Sequence, residues 1–371
     1  MSTAEELFRT NVASLPRLAE ESVSYSDQLE KAFDEFAALA AQVSATDRMS
    51  SEFVARLPII LQLSSALVSA HREAIGGRPD AAYAHFTAAM KIVGKEIGVL
   101  RSKPMSADDI GPLFRARRAA IGATIDRGGV FHIPFDQRHR VAPMRYSSLG
   151  VPMLYLGSSL YICWEEMGRP DFGDLWVASL RLSAEQRVSV LDLGWRPATV
   201  AGNFHLASHS PVGSPMHEVA MARAVLWPLH AACSFRKRYP TAPFVEEYVA
   251  PQLLTRFLVE TGEFDGVRYF SNHVKSRGDA LIPEAMNFVF PAVPVSNTGY
   301  SHHLCKKFEM TTPIPWNLVT ALGPGYAQPQ PVPRTGIGIV EIIPEHHVEY
   351  VDTEFAKVEG HLLAQRFAAV A

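Results

Sequence analysis

Two adjacent carboxylates end the segment RYSSLGVPMLYLGSSLYICWEE, which covers residues 145–166. The residues before them predict a short helix, because apolar side chains recur at helical spacing: Leu160, Cys163, Trp164 and Met167. Ser158 or Ser159 could cap its first turn. At about 100° per residue, Glu166 lies on the same side of this helix as Ile162, whereas Glu165 points further from the apolar stripe. We therefore expect Glu166 to be partly buried and Glu165 to be solvated.

Arginine and tyrosine side chains accompany these carboxylates. Arg145 lies in a turn just before the apolar run that ends on Tyr155, and Arg115 lies in PLFRARRA. A guanidinium matches two phosphate oxygens, and a carboxylate stabilises a developing cation. The set is suited to a dinucleotide's phosphates, its nicotinamide ring and a cationic transition state. The alternative is that these residues have no catalytic role, with the arginines in surface ion pairs and the two carboxylates solvated near a helix end.

Other common catalytic and ligand-binding motifs are missing from the sequence. It contains no GxGxxG after a strand, no Walker-type GK[ST], no GxSxG and no HExxH. A metal site stays open as an alternative, since His205 and His209 are four residues apart, His217 follows, and HHLC covers residues 302–305. The segment around His205 is rich in Ser, Gly and Pro, which favours a loop over a helix. We therefore expect no metal site.

Composition and charge are those of an ordinary globular protein. The 371 residues are 47% hydrophobic, and 35 basic residues against 38 acidic ones give a net charge of -3, so no basic excess suggests nucleic acid or an anionic membrane as partner. The three cysteines have no paired spacing, which argues against a disulfide framework. No signal peptide and no membrane-spanning run is evident. We expect a cytoplasmic protein.

Sparse glycine and proline, together with apolar residues at helical spacing, predict a helical unit over residues 1–105. Leu57 and Pro58 are expected to open a new helix. The segment SKPMSADDIGP then contains two prolines in a polar run and marks a domain boundary.

Residues 106–371 differ from the N-terminal unit in their pattern of apolar residues and predict a mixed α and β domain. The expected fold class is therefore α+β. Short β-like runs are bounded by glycine, proline or polar clusters: VPMLYLG, LWVASLRL, RVSVLDL, GVRYFS and MNFVFPA. LLTRFLVETGEF and residues 219–230 look helical. The proline-rich GPGYAQPQPVPRTG, residues 323–336, predicts a surface loop or linker, and IGIVEIIP after it predicts a late strand.

The segment over residues 145–166 resembles the RES domain, a family named for its conserved arginine, glutamate and serine. Its known members are toxins of bacterial toxin–antitoxin systems that degrade NAD. Arg145 and Tyr146 look like the start of the family's RWN turn, Tyr155 matches the tyrosine that ends its strand, and Glu166, not Glu165, matches its glutamate.

Further matches extend the resemblance over about residues 110–310. LFRAR resembles the domain's opening strand and carries Arg115 and Ala116, while YFS and MNFVF mark Ser271 and Asn287. Phe270 replaces the usual proline before the serine. The helical first hundred residues and the tail after the proline-rich loop lie outside a minimal toxin of this kind. The N-terminal unit is expected to restrain the activity or sense a trigger, for example in phage defence.

The resemblance implies a fold like that of ADP-ribosyltransferases and cleavage of the bond between nicotinamide and ribose, by hydrolysis or phosphorolysis. Glu166, Arg115, Tyr155 and Ser271 would be catalytic; substrate binding would fall to Arg145, Tyr146, Ala116 and Asn287. NAD is then the substrate, and no cofactor or metal is expected. Phosphate, an antitoxin or regulatory protein, and a second copy of the chain stay open as partners. The alternatives are an ADP-ribosyltransferase that modifies a macromolecule and a nucleotide-binding regulator without activity.

Overall fold

The computed structural model describes residues 3–21, 23–120, 122–148, 150–239, 241–274, 285–321, 338–343 and 345–370. The chain has the α+β class expected from its sequence, with a helical N-terminal region and a sheet of several strands. The predicted proline-rich loop at residues 323–336 lies outside the described residues.

The helices are, in chain order, α1 (Ala4–Leu7), α2 (Tyr25–Ala40), α3 (Arg48–Ile75), α4 (Pro79–Ile92), α5 (Gly94–Val99), α6 (Ala107–Ile110), α7 (Arg127–Val130), α8 (Leu160–Glu166), α9 (Pro197–Ser208), α10 (Pro215–Val225), α11 (Trp227–Ser234), α12 (Val249–Thr261), α13 (His302–Lys307), α14 (Trp316–Ala321) and α15 (Glu354–Leu363). Short 3₁₀ segments occur at Phe135–Arg140, Phe172–Asp174, Glu246–Tyr248 and Tyr350–Asp352.

The strands are β1 (Leu113–Arg118), β2 (Met153–Gly157), β3 (Leu175–Leu182), β4 (Val190–Leu193), β5 (Gly266–Phe270), β6 (Met286–Pro291), β7 (Phe308–Met310), β8 (Ile314–Pro315), β9 (Ile339–Ile343), β10 (His346–Glu349) and β11 (Ala368–Ala369). The strands predicted from the sequence are confirmed as β2, β3, β4, β5, β6 and β9, and the two predicted helical stretches as α12 and as α10 with α11.

The chain divides into two compact units, and the first is larger than the contiguous N-terminal domain 1–105 expected from the sequence. It comprises Met1–Ser102, Pro143–Ser148 and Leu191–Phe264. The later segments belong to it because their aromatic side chains complete the core of the first hundred residues. Trp227 stacks on Phe36 with ring centroids 3.9 Å apart, and the ring centroids of Phe204 and Phe8 are 5.8 Å apart. The second unit therefore holds part of residues 106–371, not all of them.

Helix α3 runs without interruption through Pro58, so the expectation of a new helix at Leu57 is wrong. The helix begins at the cap Asp47, which accepts from Ser50 N, and its apolar face enters the core through Phe53, Leu63 and Leu67. Within the described part of the chain, α3 is the one helix that could cross a membrane by length and composition. The core helix of a soluble protein passes the same test.

The second unit, Lys103–Ala142, Leu149–Val190 and Asp265–Ala371, is built on an antiparallel sheet. Its strand order is β11, β7, β3, β1, β2, β6, β5, with β8 also paired to β3. Strand β1 pairs with β3 at six positions but with β2 only where Phe114 faces Gly157. The sheet therefore has two halves that meet at this pair, and the site residues lie around it.

Candidate active site

Helix α8 is fixed at its start by a side-chain cap and a close backbone approach. Ser159 is the cap, since its Oγ accepts from Ile162 N at 3.2 Å. Gly157 allows the helix to lie directly on the end of β2, because a Cβ at this position would be 2.8 Å from Cys163 Sγ. The residues of α8 from Leu160 to Glu165 are buried, so its last residue, Glu166, is the one placed at the edge of the core.

The Glu166 carboxylate is held by two neutral donors from the adjacent strands. Its Oε1 accepts from Ser271 Oγ at 2.6 Å and from Asn287 Nδ2 at 2.8 Å. Ser271, directly after β5, is fully buried, whereas the Glu166 side chain is 26% exposed. The other oxygen, Oε2, lies 3.8 Å from Nε2 of the partly exposed His273. The structure thus brings together three residues that the sequence predicted for one site and leaves the carboxylate accessible.

His273 was missed by the sequence reasoning. It follows Ser271 by two residues, and its backbone N–H donates to Ser271 Oγ at 3.3 Å. The sequence contained a signal for this residue, because a histidine two residues after the predicted Ser271 lies within reach of Glu166, the carboxylate that Ser271 binds.

Arg115 and Tyr155 form a second group, at the point where the two halves of the sheet part. The Arg115 guanidinium donates to the Tyr155 carbonyl at 2.6 Å, and its buried Nε has no hydrogen-bond partner among the described residues. Burial, followed by repulsion from Arg117, lowers the pKa of Arg115 to about 10, so it is still a cation at neutral pH. Tyr155 faces Val289 while Gly157 faces Asn287, which puts the Tyr155 and Asn287 side chains on one face of the sheet.

Ala116, the remaining site residue predicted on β1, is half-buried and faces Val177 of β3. Gly157 connects the two groups, since it pairs with Phe114, next to Arg115, and with Asn287, a partner of Glu166.

Glu165 is not solvated, contrary to the expectation from helical spacing. Its side chain is 5% exposed and forms a two-pronged ion pair with Arg169, with Nη2 2.7 Å from Oε1 and Nε 3.1 Å from Oε2. Arg169 also donates to the carbonyl oxygens of Ile342 and Glu341 in β9. The side of α8 that the local pattern assigns to solvent is covered by a strand almost two hundred residues away.

The C-terminal segment also binds the start of α8. Glu359 of α15 is buried, and its Oε1 accepts from Leu160 N and from Tyr350 Oη, both at 2.7 Å. The sequence reasoning did not find this residue, although one signal exists. Glu359 falls within the apolar stripe of α15, between Val358 and Leu362, where a carboxylate needs a buried partner.

Aromatic side chains fill the space between α8 and α15. Trp164 stacks on Phe172 with centroids 5.3 Å apart, Phe172 stacks on Trp316 at 4.8 Å, and Phe355 lies 5.5 Å from Trp164. These rings bury the apolar face of α8 that the sequence predicted and make its orientation depend on residues far along the chain.

Arg145 and Tyr146 belong to the first unit of the chain. Arg145 is 7% exposed, donates to the Cys233 carbonyl at 3.0 Å and has its guanidinium carbon 4.9 Å from the Tyr248 ring centroid. Both of these neighbours lie in the same unit. Tyr146 is 1% exposed. The two predicted positions are thus part of a buried turn, and their role in substrate binding stays a prediction.

The histidine segment lies on a helix, not in the expected loop. His205 is in α9, and its ring centroid lies 5.4 Å from that of His209, the helix cap. His217 instead approaches Glu52, with Nε2 2.8 Å from Oε2. Within the described ranges, no group of three or more His, Cys, Asp or Glu side chains could hold a metal ion.

The fold and the site define an α+β protein in which a short helix presents one carboxylate to a serine and an asparagine. No family model and no solved structure matches the chain. It is similar to a protein of Bacillus subtilis (strain 168) that carries the name "Putative toxin YopC", with 27% identity over 297 residues. The match covers 79% of this chain and 66% of that protein, slightly under two thirds of its length.

Proposed function

We propose that this protein is a toxin of the RES type that cleaves the bond between nicotinamide and ribose in NAD. The observation that carries the proposal is the pair of hydrogen bonds from Ser271 and Asn287 to Glu166. The family resemblance marks these three residues. Glu166 lies more than 100 positions before the other two in sequence, and their meeting is what a shared catalytic role requires. The similarity to a protein named as a toxin points in the same direction.

Glu166 would act on the ribose. When the bond from ribose C1′ to the nicotinamide nitrogen breaks, the electron pair leaves with neutral nicotinamide, and the ribose becomes an oxocarbenium-like cation. An anionic carboxylate beside that ring stabilises the charge and orients the attacking oxygen. Ser271 and Asn287 occupy one carboxylate oxygen, so the other is left to face the sugar. The leaving group is already cationic before cleavage, so the reaction has no need of a metal.

Arg115 and Tyr155 would hold the rest of the substrate. A guanidinium with a buried, unpartnered Nε is suited to a pyrophosphate oxygen. The Tyr155 ring lies on the same sheet face as Asn287 and could stack beside the nicotinamide. A dinucleotide with its pyrophosphate at Arg115 and its nicotinamide beside Tyr155 would have its glycosidic bond next to Glu166.

The test is to incubate the purified full chain with NAD, with and without phosphate, and to identify the products. The proposal predicts nicotinamide together with ADP-ribose in plain buffer, or with an ADP-ribose phosphate ester when phosphate is required. The transferase alternative would be favoured if ADP-ribose were transferred to an added protein or nucleic acid and no free ADP-ribose formed when that acceptor was left out. Intact NAD under every condition would contradict both.

A further inference from the structure

The segment directly after β5 presents one histidine side chain to the proposed site. Its neighbours Ser271, Asn272 and Val274 are buried. The His273 side chain is 37% exposed. Its backbone is held in place, since the His273 N–H donates to Ser271 Oγ at 3.3 Å while that hydroxyl donates to Glu166 at 2.6 Å. One serine thus joins His273 and Glu166 in a single hydrogen-bonded group.

The gap between this histidine and the carboxylate is too wide for a direct hydrogen bond. Nε2 of His273 lies 3.8 Å from Oε2 of Glu166, whereas N–H···O bonds are about 2.7–3.2 Å long. Ser271 and Asn287 both donate to Oε1, and within the part of the chain that the structure describes no donor binds Oε2. An oxygen atom about 2.8 Å from both Nε2 and Oε2 satisfies this geometry, so the pair is suited to hold one small acceptor molecule through a single oxygen.

The two atoms that flank this position are suited to accept hydrogen bonds. A carboxylate oxygen only accepts, and Nε2 of a neutral imidazole can be the accepting nitrogen of the ring. Water has two hydrogens to donate to them. A phosphate ion instead carries ionised oxygens that need donors, and the negative charge of Glu166 repels it. The position therefore favours water over phosphate as the molecule that attacks the ribose.

We propose that His273 is the general base of the cleavage and that water is the acceptor, which makes the protein an NAD glycohydrolase and not a phosphorylase. This inference rests on the proposed function, which places the nicotinamide ribose at Glu166. The water oxygen forms a bond to ribose C1′ as the bond from C1′ to the nicotinamide nitrogen breaks. The electron pair of the broken bond leaves with nicotinamide, and the proton that the water loses passes to His273 Nε2 and then to solvent.

The test is steady-state cleavage of NAD by the full chain, in which the wild type is compared with His273→Gln. We expect kcat to fall about a hundredfold and KM to change less than about twofold, since a general base acts in the chemical step. Imidazole added to His273→Ala should restore part of kcat in proportion to its concentration, which a purely structural role would not produce. His303→Gln is the matched control, because His303 Nε2 lies 3.6 Å from the Asp265 carboxylate, at the opposite end of β5.

The acceptor is identified in the same reaction with excess phosphate, where the wild type should still release free ADP-ribose. An ADP-ribose phosphate ester as the main product would overturn the assignment of water and leave the proposed cleavage intact. Wild-type kcat in a folded His273→Gln variant, or a kcat of His273→Ala that imidazole does not raise, would overturn the role of His273 alone. Intact NAD with the wild type under every condition would contradict the proposed function, and the inference with it.

Discussion

The two carboxylates that end α8 have different partners. Glu166 accepts from the neutral Ser271 and Asn287, while Glu165 pairs with the guanidinium of Arg169 at 2.7 Å. A carboxylate paired with a cation is stabilised but occupied, whereas one held by neutral donors keeps its charge available. At the scale of single residues, Glu165 therefore serves stability, and Glu166 is the candidate for chemistry.

The Glu165→Gln substitution should lower the free energy of unfolding by about 2 kcal/mol. This loss lies between the cost of breaking a buried ion pair and that of breaking an exposed one, because Glu165 is buried and Arg169 is partly exposed. Chemical denaturation measures this change. The control is Glu309→Gln, which breaks the more exposed pair with Arg181 and should cost less than about 1 kcal/mol. Equal losses in the two variants would show that the burial of Glu165 has no energetic consequence.

At the scale of elements, α8 depends on the C-terminal segment at both ends. Glu359 accepts from the first backbone N–H of the helix, and Arg169, just beyond its end, donates to carbonyls of β9. A helix of seven residues is not stable by itself in water. Its orientation, and with it the position of Glu166, must come from these contacts and from the aromatic rings around Trp164.

We predict that Glu359→Gln lowers kcat about tenfold while KM changes less than about twofold, since a displaced α8 moves Glu166 but leaves Arg115 in place. Steady-state kinetics of the dinucleotide cleavage checks the split. Glu359→Asp, which keeps the charge on a shorter side chain, should recover part of kcat. Glu354→Gln, an exposed substitution on the same helix, is the control. A rise in KM with unchanged kcat would contradict the positioning role of Glu359.

Local pattern was enough to predict α8, its buried stripe and the strands β2, β3, β5, β6 and β9 of the second unit, because apolar periodicity is a property of neighbouring residues. It could not predict that β9 covers Glu165 or that Glu359 reaches Leu160, since each contact joins residues more than 170 positions apart. Ser271 and Asn287 were named from resemblance. Their hydrogen bonds to Glu166 could not be derived from spacing.

At the scale of the whole molecule, each unit contains a histidine whose burial lowers its pKa. The pKa of His230 in the first unit is lowered to about 3, by burial and then by Arg223. That of His132 in the second unit is lowered to about 4, chiefly by burial. Neutral His132 donates from Nδ1 to the Ile133 carbonyl and accepts at Nε2 from Ser301 N, and protonation removes the second bond.

Both folded-state pKa values lie below the unfolded value of 6.5, so the stability that these histidines contribute is fully present above pH 6.5. It is lost as the pH falls toward about 4 for His132 and toward about 3 for His230. We predict that lowering the pH from 6.5 to 5.0 reduces the free energy of unfolding by about 2 kcal/mol for each histidine. Denaturant titrations at the two pH values measure the loss. His132→Gln should flatten this dependence, and the exposed His139→Gln should not. An unchanged slope in His132→Gln would contradict the assignment.

The division of the chain into two units also concerns the whole molecule, and it differs from the domain boundary predicted from the sequence. The boundary near residue 105 follows a change in composition, but residues 191–264 join the first unit through tertiary packing of Phe204 and Trp227, which composition does not record. The α+β class was nevertheless predictable, since it depends on the kinds of elements present and not on which of them pack together.

The most direct test of the central claim is NAD consumption by purified wild-type protein and by Glu166→Gln, both checked for the same melting temperature. The account predicts that the wild type releases nicotinamide and that the variant is slower by at least about a hundredfold, because it lacks the negative charge beside the ribose. Cleavage at the wild-type rate by a folded Glu166→Gln variant would contradict the account.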